Sequence, residues 1–257
     1  MIADPLFYAA AIPAVIILGL AKGGFAGLGI LAVPLMSLAA SPVQAASITL
    51  PILIVQDVVS VWAFRRDWDG GILALMVPSA AVGIAAGYSL AAFVSAAAVE
   101  LAIGLVSVAF ALMRLWSERA PPETTKSASR VAGAFWGVAA GFTSQIAHAG
   151  GPPFQIYVLP KRLPRDTFIG TSALFFAIAN WMKVPAYAAL GQFTNDNLLT
   201  SAALMPLAIV STVAGVWLIR RVPTERFYTL IYALLLLVGA KLIWDGTIGL
   251  MGVTHGA

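Results

Sequence analysis

The chain contains no cysteine, so disulfides, thiol catalysis and thiolate metal sites are excluded. Charge is scarce: 10% of its 257 residues are Asp, Glu, Lys or Arg, where soluble domains carry about a quarter. Of two histidines, only His148 lies in the apolar part of the chain. A histidine-built metal centre therefore lacks its ligands. Hydrolase elbows, metalloprotease helices and lysine-bearing phosphate loops are also missing, and no cofactor is implied. The formal net charge of +4 comes from basic residues in short loops between apolar runs. That is the distribution of cytoplasmic loops in membrane proteins, not a stripe for nucleic acid. Met1 to Ala10 has no Lys or Arg, so it lacks a secretory n-region and reads as a retained entry to the first membrane segment.

What is present is apolar side chain: 60% hydrophobic residues and a mean hydropathy of +0.92. A soluble core of this size cannot hide so much, so the lipid bilayer is the expected solvent and partner. Apolar runs cover 6–21, 25–40, 43–64, 71–93, 95–117, 131–147, 151–160, 166–190, 197–219 and 225–245. The first two are short for a crossing, at about 24 Å each by helical rise. Segments 131–147 and 151–160 are short too. A glycine-rich tip joins each of these pairs, which predicts two hairpins of short helices, re-entrant or fully spanning.

The basic loops are Arg65-Arg66, Arg114 to Arg130, Lys161 to Arg165, and Arg220 to Arg226. With these inside, both hairpins return to their starting side and both termini lie outside. Each half then has an odd number of crossings, which forces inverted topology. The expected fold is an all-α polytopic membrane protein of two inverted repeats, each a short-helix hairpin with a Gly-rich tip plus three spanning helices. Residues 1–117 form the first repeat, 118–130 a cytoplasmic linker with Pro121-Pro122, and 131–257 the second. Gly19 and Gly141, Gly29 and Gly151, Pro42 and Pro164, and Thr49 and Thr171 share one spacing; Pro78 and Pro206, and Gly87 and Gly215, share another.

Broken helices in matching positions of two halves point to a transporter's binding site. The first tip is Lys22-Gly23-Gly24-Phe25-Ala26-Gly27-Leu28-Gly29, and the second is His148-Ala149-Gly150-Gly151-Pro152-Pro153. Gly23, Gly24, Gly27, Gly150 and Gly151 let the backbone turn and approach an anion, with amide N–H groups and helix ends as the cradle. The competing reading is close helix packing, favoured for Gly133, Gly137 and Gly141. Lys22 either draws an anion inward or snorkels to the interface. His148 is suited to proton relay or to a hydrogen bond with the substrate, or else it is a packing residue. Gln56 and Asp57 lie within one span and Asn180 and Lys183 within another. The repeat spacing sets Asp57 opposite Asn180, so Asp57 is a second proton-coupling candidate or half of an interior salt bridge with Lys183. Thr49, Thr171 and Ser172 could offer hydroxyls or bond to their own helix. Trp62, Trp68, Trp116, Trp181 and Trp244 suit interfacial anchoring.

At these residues the chain resembles the sulfite exporter TauE/SafE family. The resemblance is carried by Lys22 to Gly29 with Pro34, and by Thr143 to Tyr157 through His148, Gly150, Gly151 and Gln155. It continues in Gly170-Thr171-Ser172 and in Asn180-x-x-Lys183-Val184-Pro185-Ala186-Tyr187. It implies duplicated halves and a bacterial inner-membrane permease for a small anion such as sulfite or an organosulfonate. It adds Gln155 to the candidate substrate ligands Lys22, Gly23, Gly24, Gly27, His148, Gly150, Gly151, Thr171, Asn180 and Lys183. The expected activity is secondary export by alternating access, with a proton as candidate coupling ion. A passive channel, or a membrane-embedded enzyme or partner subunit, are the alternatives.

Overall fold

A computed structural model describes residues 2, 4–25, 28–36, 39–90, 93, 95–117 and 129–251. Every regular element among them is helical. In order these are α1 (Pro5–Gly23), a 3-10 turn (Leu28–Leu31), α2 (Ala32–Met36), α3 (Pro42–Ala63), α4 (Gly70–Leu90) and α5 (Ala96–Ser117). Then follow α6 (Arg130–Ala147), α7 (Gly151–Val158), a 3-10 turn (Leu159–Lys161), α8 (Arg165–Ala189), α9 (Asn195–Ile219) and α10 (Thr224–Leu250). Among the described residues, six helices are long and apolar enough to cross a membrane: α1, α3, α4, α8, α9 and α10. The chain is thus a multi-pass, all-α membrane protein.

Local chemistry sets the helix starts. Asp4 accepts from the Leu6 N–H at 2.9 Å, Ser41 from Gln44 at 3.2 Å, Ser129 from Ala132 at 3.1 Å and Thr194 from Asn197 at 3.2 Å. Each supplies an acceptor that the first turn lacks. Two expectations about the first hairpin change. Its first arm, α1, has 19 residues and is a full-length apolar helix, because the helix runs through Lys22 rather than stopping at the charge. Its second arm holds no long helix among the described residues, only a 3-10 turn and the five-residue α2. The expected linker falls largely at 118–128, outside the described residues.

The helices form two compact units, each drawing on both halves of the sequence. The first contains α1–α3, α8 and α9; the second contains α4–α7 and α10. In the first unit α1 lies along α9 through a seam of small residues. A Cβ added to Gly19 would stand 2.0 Å from Ser211 Oγ, and one on Gly23 would stand 2.5 Å from the Gly215 backbone. Backbones approach this closely in lipid only where side chains are absent. The Ser211 hydroxyl lies 3.1 Å from the Ala208 carbonyl and 3.3 Å from that of Val15 on α1, and Ser201 donates to Ile48 on α3 at 2.8 Å. Phe7, Val15 and Leu18 of α1, Ile48 and Ile52 of α3, and Leu204 of α9 fill the core between them.

The second unit repeats the device. A Cβ on Gly83 of α4 would meet the Val138 carbonyl oxygen at 2.1 Å, and one on Gly141 of α6 would meet that of Ala80 at 2.1 Å. Gly137 faces Ser79, with 2.7 Å available. The glycine triplet of α6 therefore serves packing. Helices α5 and α10 close on each other in the same way, through Gly104, Gly239 and Gly246.

Large apolar side chains such as Leu6, Val58, Phe135, Val210 and Trp244 remain exposed, as lipid-facing residues must. Basic loop residues fold back over aromatic rings: Arg65 lies 4.4 Å from the Trp62 centroid and Arg221 3.5 Å from that of Trp217. This arrangement suits the membrane interface, where a ring and a cation share the headgroup zone.

The glycine seams predict a sharp contrast. Gly141→Val should destabilise the detergent-solubilised protein by about 1–3 kcal/mol or more through overpacking, because it forces α4 and α6 apart. Gly151→Ala should be close to neutral, since its Cβ would meet nothing nearer than 3.9 Å. Thermal midpoints by fluorescence or circular dichroism measure both.

Candidate functional site

The first tip is a closed helix end. Gly24, at φ +137°, takes a conformation that glycine reaches at little cost. Its N–H donates to Ala21 O at 3.2 Å, and the Phe25 N–H donates back to Leu20 O at 3.2 Å. These two bonds are a Schellman ending. They leave the Gly24 amide committed to α1, and they present Lys22 in the last helical turn. Gly23 is buried against Gly215 of α9. Gly27 lies outside the described residues.

From that end Lys22 reaches into the first unit. Its Nζ lies 2.5 Å from Asp57 Oδ1 on α3 and 5.5 Å from the centroid of the Phe176 ring on α8. The other carboxylate oxygen, Asp57 Oδ2, accepts from Asn180 Nδ2 at 2.7 Å. Asp57 is 2% exposed, and Lys183, one turn beyond Asn180, is 1% exposed. Lys183 lies close enough to interact electrostatically with both Asp57 and Lys22. Ser60 Oγ donates to the Lys22 carbonyl at 2.5 Å, tying the end of α1 to α3. Gln56 is fully buried beside Asp57; its Nε2 reaches Val15 O at 3.4 Å, and its Oε1 has no partner.

Three helices, α1, α3 and α8, thus bring one carboxylate and two lysines together between apolar walls. A buried carboxylate is tolerable only when cations and hydrogen bonds answer it. Here two lysines stand near one carboxylate. The sequence offered Lys183 as the salt-bridge partner of Asp57; the structure pairs Asp57 with Lys22, and Asn180, which the spacing set opposite Asp57, donates a hydrogen bond to it.

Thr171 is engaged elsewhere. Its hydroxyl donates to Thr167 O at 2.6 Å and accepts from the Asp69 N–H at 2.9 Å, fixing the α3–α4 loop. Thr49 bonds to its own helix at Ala45 O, at 2.7 Å. Phe176 and Ser60 were not singled out from sequence. Their positions, four residues before Asn180 and three after Asp57, put each on the helix face of a residue that was.

The remaining candidates belong to the second unit. Helix α6 ends at His148, which is left-handed at φ 52° and half-buried. The Ala149 N–H donates to Thr143 O at 3.1 Å. The Thr143 hydroxyl lies 2.8 Å from Ala139 O and 3.1 Å from Ala149 O, bracing the elbow. Helix α7 starts at Gly151, with Pro152 and Pro153 in its first turn and Gln155 just beyond, 1% exposed. Lys22, Asp57, Asn180 and Lys183 are therefore one cluster, and His148, Gly150, Gly151 and Gln155 are a stretch along the other tip.

A polytopic helical membrane protein with a charged cluster buried among its spanning helices has the makings of a transporter. The sequence model for sulfite exporter TauE/SafE matches residues 11–242, and the chain belongs to that family. Comparison with curated proteins and with solved structures gives no match.

The cluster predicts non-additive energetics. Asp57→Leu alone should cost about 3–5 kcal/mol, because it leaves the half-buried Lys22 without its carboxylate. The double variant Lys22→Met/Asp57→Leu should recover most of that loss. Chemical or thermal unfolding in detergent supplies the cycle.

Proposed function

We propose that this chain is a secondary transporter that exports a small anion, sulfite or an organosulfonate, by alternating access. The observation that carries this reading is the Lys22–Asp57–Asn180 constellation with Lys183 beside it, within spanning helices of a sulfite exporter family member. Asp57 holds Lys22 while the site is empty. An arriving sulfite or sulfonate competes for the Lys22 ammonium, with Lys183 and the Asn180 amide as further donors. Gly23 and Gly24 shape the tip that carries Lys22. In the second unit, His148, Gly150, Gly151 and Gln155 are the candidate ligands along the other tip.

Protonating Asp57 would free Lys22 for the anion, so Asp57 is one candidate for a coupling proton and His148 is the other. Coupling is not required for export. One negative charge leaving down an inside-negative potential of 100 mV gains about 2.3 kcal/mol. Uptake of the same anion would have to overcome that amount.

Two inverted repeats, residues 1–117 and 131–257 joined by a cytoplasmic linker, are part of the proposal. Matched packing supports it. Gly215 of α9 lies against Gly19, Leu20 and Gly23 of α1, while Gly87 of α4 lies against Phe142 and Gln145 of α6. The spacing that relates Gly19 to Gly141 also relates Leu20 to Phe142 and Gly23 to Gln145. The distribution of basic loops supports a cytoplasmic linker, with both termini outside the bacterial inner membrane.

Flux of sulfite and sulfonates in proteoliposomes tests the function. Saturable export with counter-substrate exchange is the expected result; non-saturating flux would identify a channel, and no flux would end the proposal. Lys22→Gln should weaken anion binding about 10- to 150-fold, the value of about 1.5–3 kcal/mol for a hydrogen bond to a charged group. Wild-type affinity in that variant would remove Lys22 from the site. A pH-dependent flux that flattens in Asp57→Asn assigns the proton to Asp57, and one that flattens in His148→Gln assigns it to His148. An unchanged profile in both variants removes proton coupling.

A further inference from the structure

Gln155 poses a question that charge does not answer. Its side chain is 1% exposed, yet neither Oε1 nor Nε2 has a hydrogen-bond partner. Burying an amide without partners is costly, and native proteins rarely accept it without a reason. Because both ends are unpartnered, exchanging the amide O and N assignments changes nothing.

The surroundings show where the amide points. A Cβ added to Gly151, the first residue of α7, would lie 3.9 Å from Gln155 Nε2 and, beyond its own helix backbone and chain neighbours, would meet no other atom of the described residues within 4 Å. Around Gly133, Gly137 and Gly141 of the same unit, that space is filled to within 2.1–2.7 Å. Gly151 therefore fronts open room, and Gln155 lies alongside it. Pro152 and Pro153 bring no N–H, so Gly151 carries the one backbone N–H among the first three residues of α7, at the helix's positive end. No acidic residue stands in that first turn.

This opening offers a side-chain donor, a backbone donor and a side-chain acceptor. A fully ionised oxyanion satisfies the donors but turns a lone pair toward Oε1. A ligand that carries both a charged oxygen and an O–H satisfies all three. We infer that Gln155 and the Gly151 end of α7 form a subsite for an oxyanion bearing its own hydroxyl group. The anionic oxygens accept from Nε2 and the Gly151 N–H, and the ligand hydroxyl donates to Oε1. The inference rests on the anion-transporter reading above and narrows its substrate class from sulfonates in general to hydroxylated ones.

The test uses the full-length purified protein and two sulfonates that differ by one hydroxyl, 2-hydroxyethanesulfonate and ethanesulfonate, with sulfite as a third probe. Wild type should bind the hydroxylated compound about tenfold more tightly, the value of one net hydrogen bond. Gln155→Met keeps the volume and removes both polar atoms. It should bind the two sulfonates alike, while its ligand-free thermal midpoint stays at or above that of wild type. Gly151→Ala, which fills the opening, should weaken the hydroxylated compound without lowering the midpoint. Equal affinities in wild type would mean that water fills the amide; the subsite would then be overturned and the transporter reading would stand. Discrimination that survives in Gln155→Met overturns the subsite as well. If wild type binds none of the three anions, both readings fall together.

Discussion

Asp57 is a carboxylate with 2% exposure in a helix that crosses the membrane, and its neutralisation organises the first unit. Lys22 answers one oxygen and Asn180 the other. To deliver Lys22 there, α1 must end abruptly, and Gly24 ends it with its φ of +137°. To deliver Asn180, α8 must lie against α3, and it is fixed near its start by Gly170, whose Cβ position is only 1.8 Å from the Asp67 carbonyl oxygen. The charge thus dictates helix ends and helix neighbours in a medium where apolar contact alone discriminates weakly between partners.

The glycines divide by use. Those at Gly19, Gly23, Gly83, Gly137, Gly141 and Gly215 are consumed by backbone contact, and such seams substitute for the hydrophobic drive that lipid removes. Gly24 supplies a left-handed turn. Gly151 does neither, since its surroundings are open. The same residue type, repeated along an apolar chain, therefore marks close packing in one place and open surroundings in another.

Much of this was legible in the sequence. Apolar run lengths located the long helices to within a few residues, because twenty-odd apolar residues bounded by Gly, Pro and charge have few alternatives in a bilayer. Internal spacing set Asp57 opposite Asn180, and the two side chains are hydrogen-bonded in the structure. Other features were hidden. Whether Gly23 faces a ligand or a neighbouring backbone depends on which helix arrives beside it, and α9 arrives from the far half of the chain. The lengthening of α1 through Lys22 turned on Asp57 being within reach, a long-range fact. The unanswered amide of Gln155 is a property of what surrounds it, and no run of letters encodes an absence.

Interleaving of the halves has a consequence for biosynthesis. The small-residue face of α1 is completed only by α9, and about 170 residues separate the end of one from the start of the other. At about 5–20 residues per second, the ribosome takes roughly 9–34 s to make that stretch. Once Asp57 has been made, the nascent first half can neutralise it, because Lys22 precedes it in the chain. Its glycine groove, however, stays open to lipid or to whatever insertion factor shelters it. Early charge pairing followed by late seam closure gives assembly an order, with the polar hazard settled before the helices find their final neighbours.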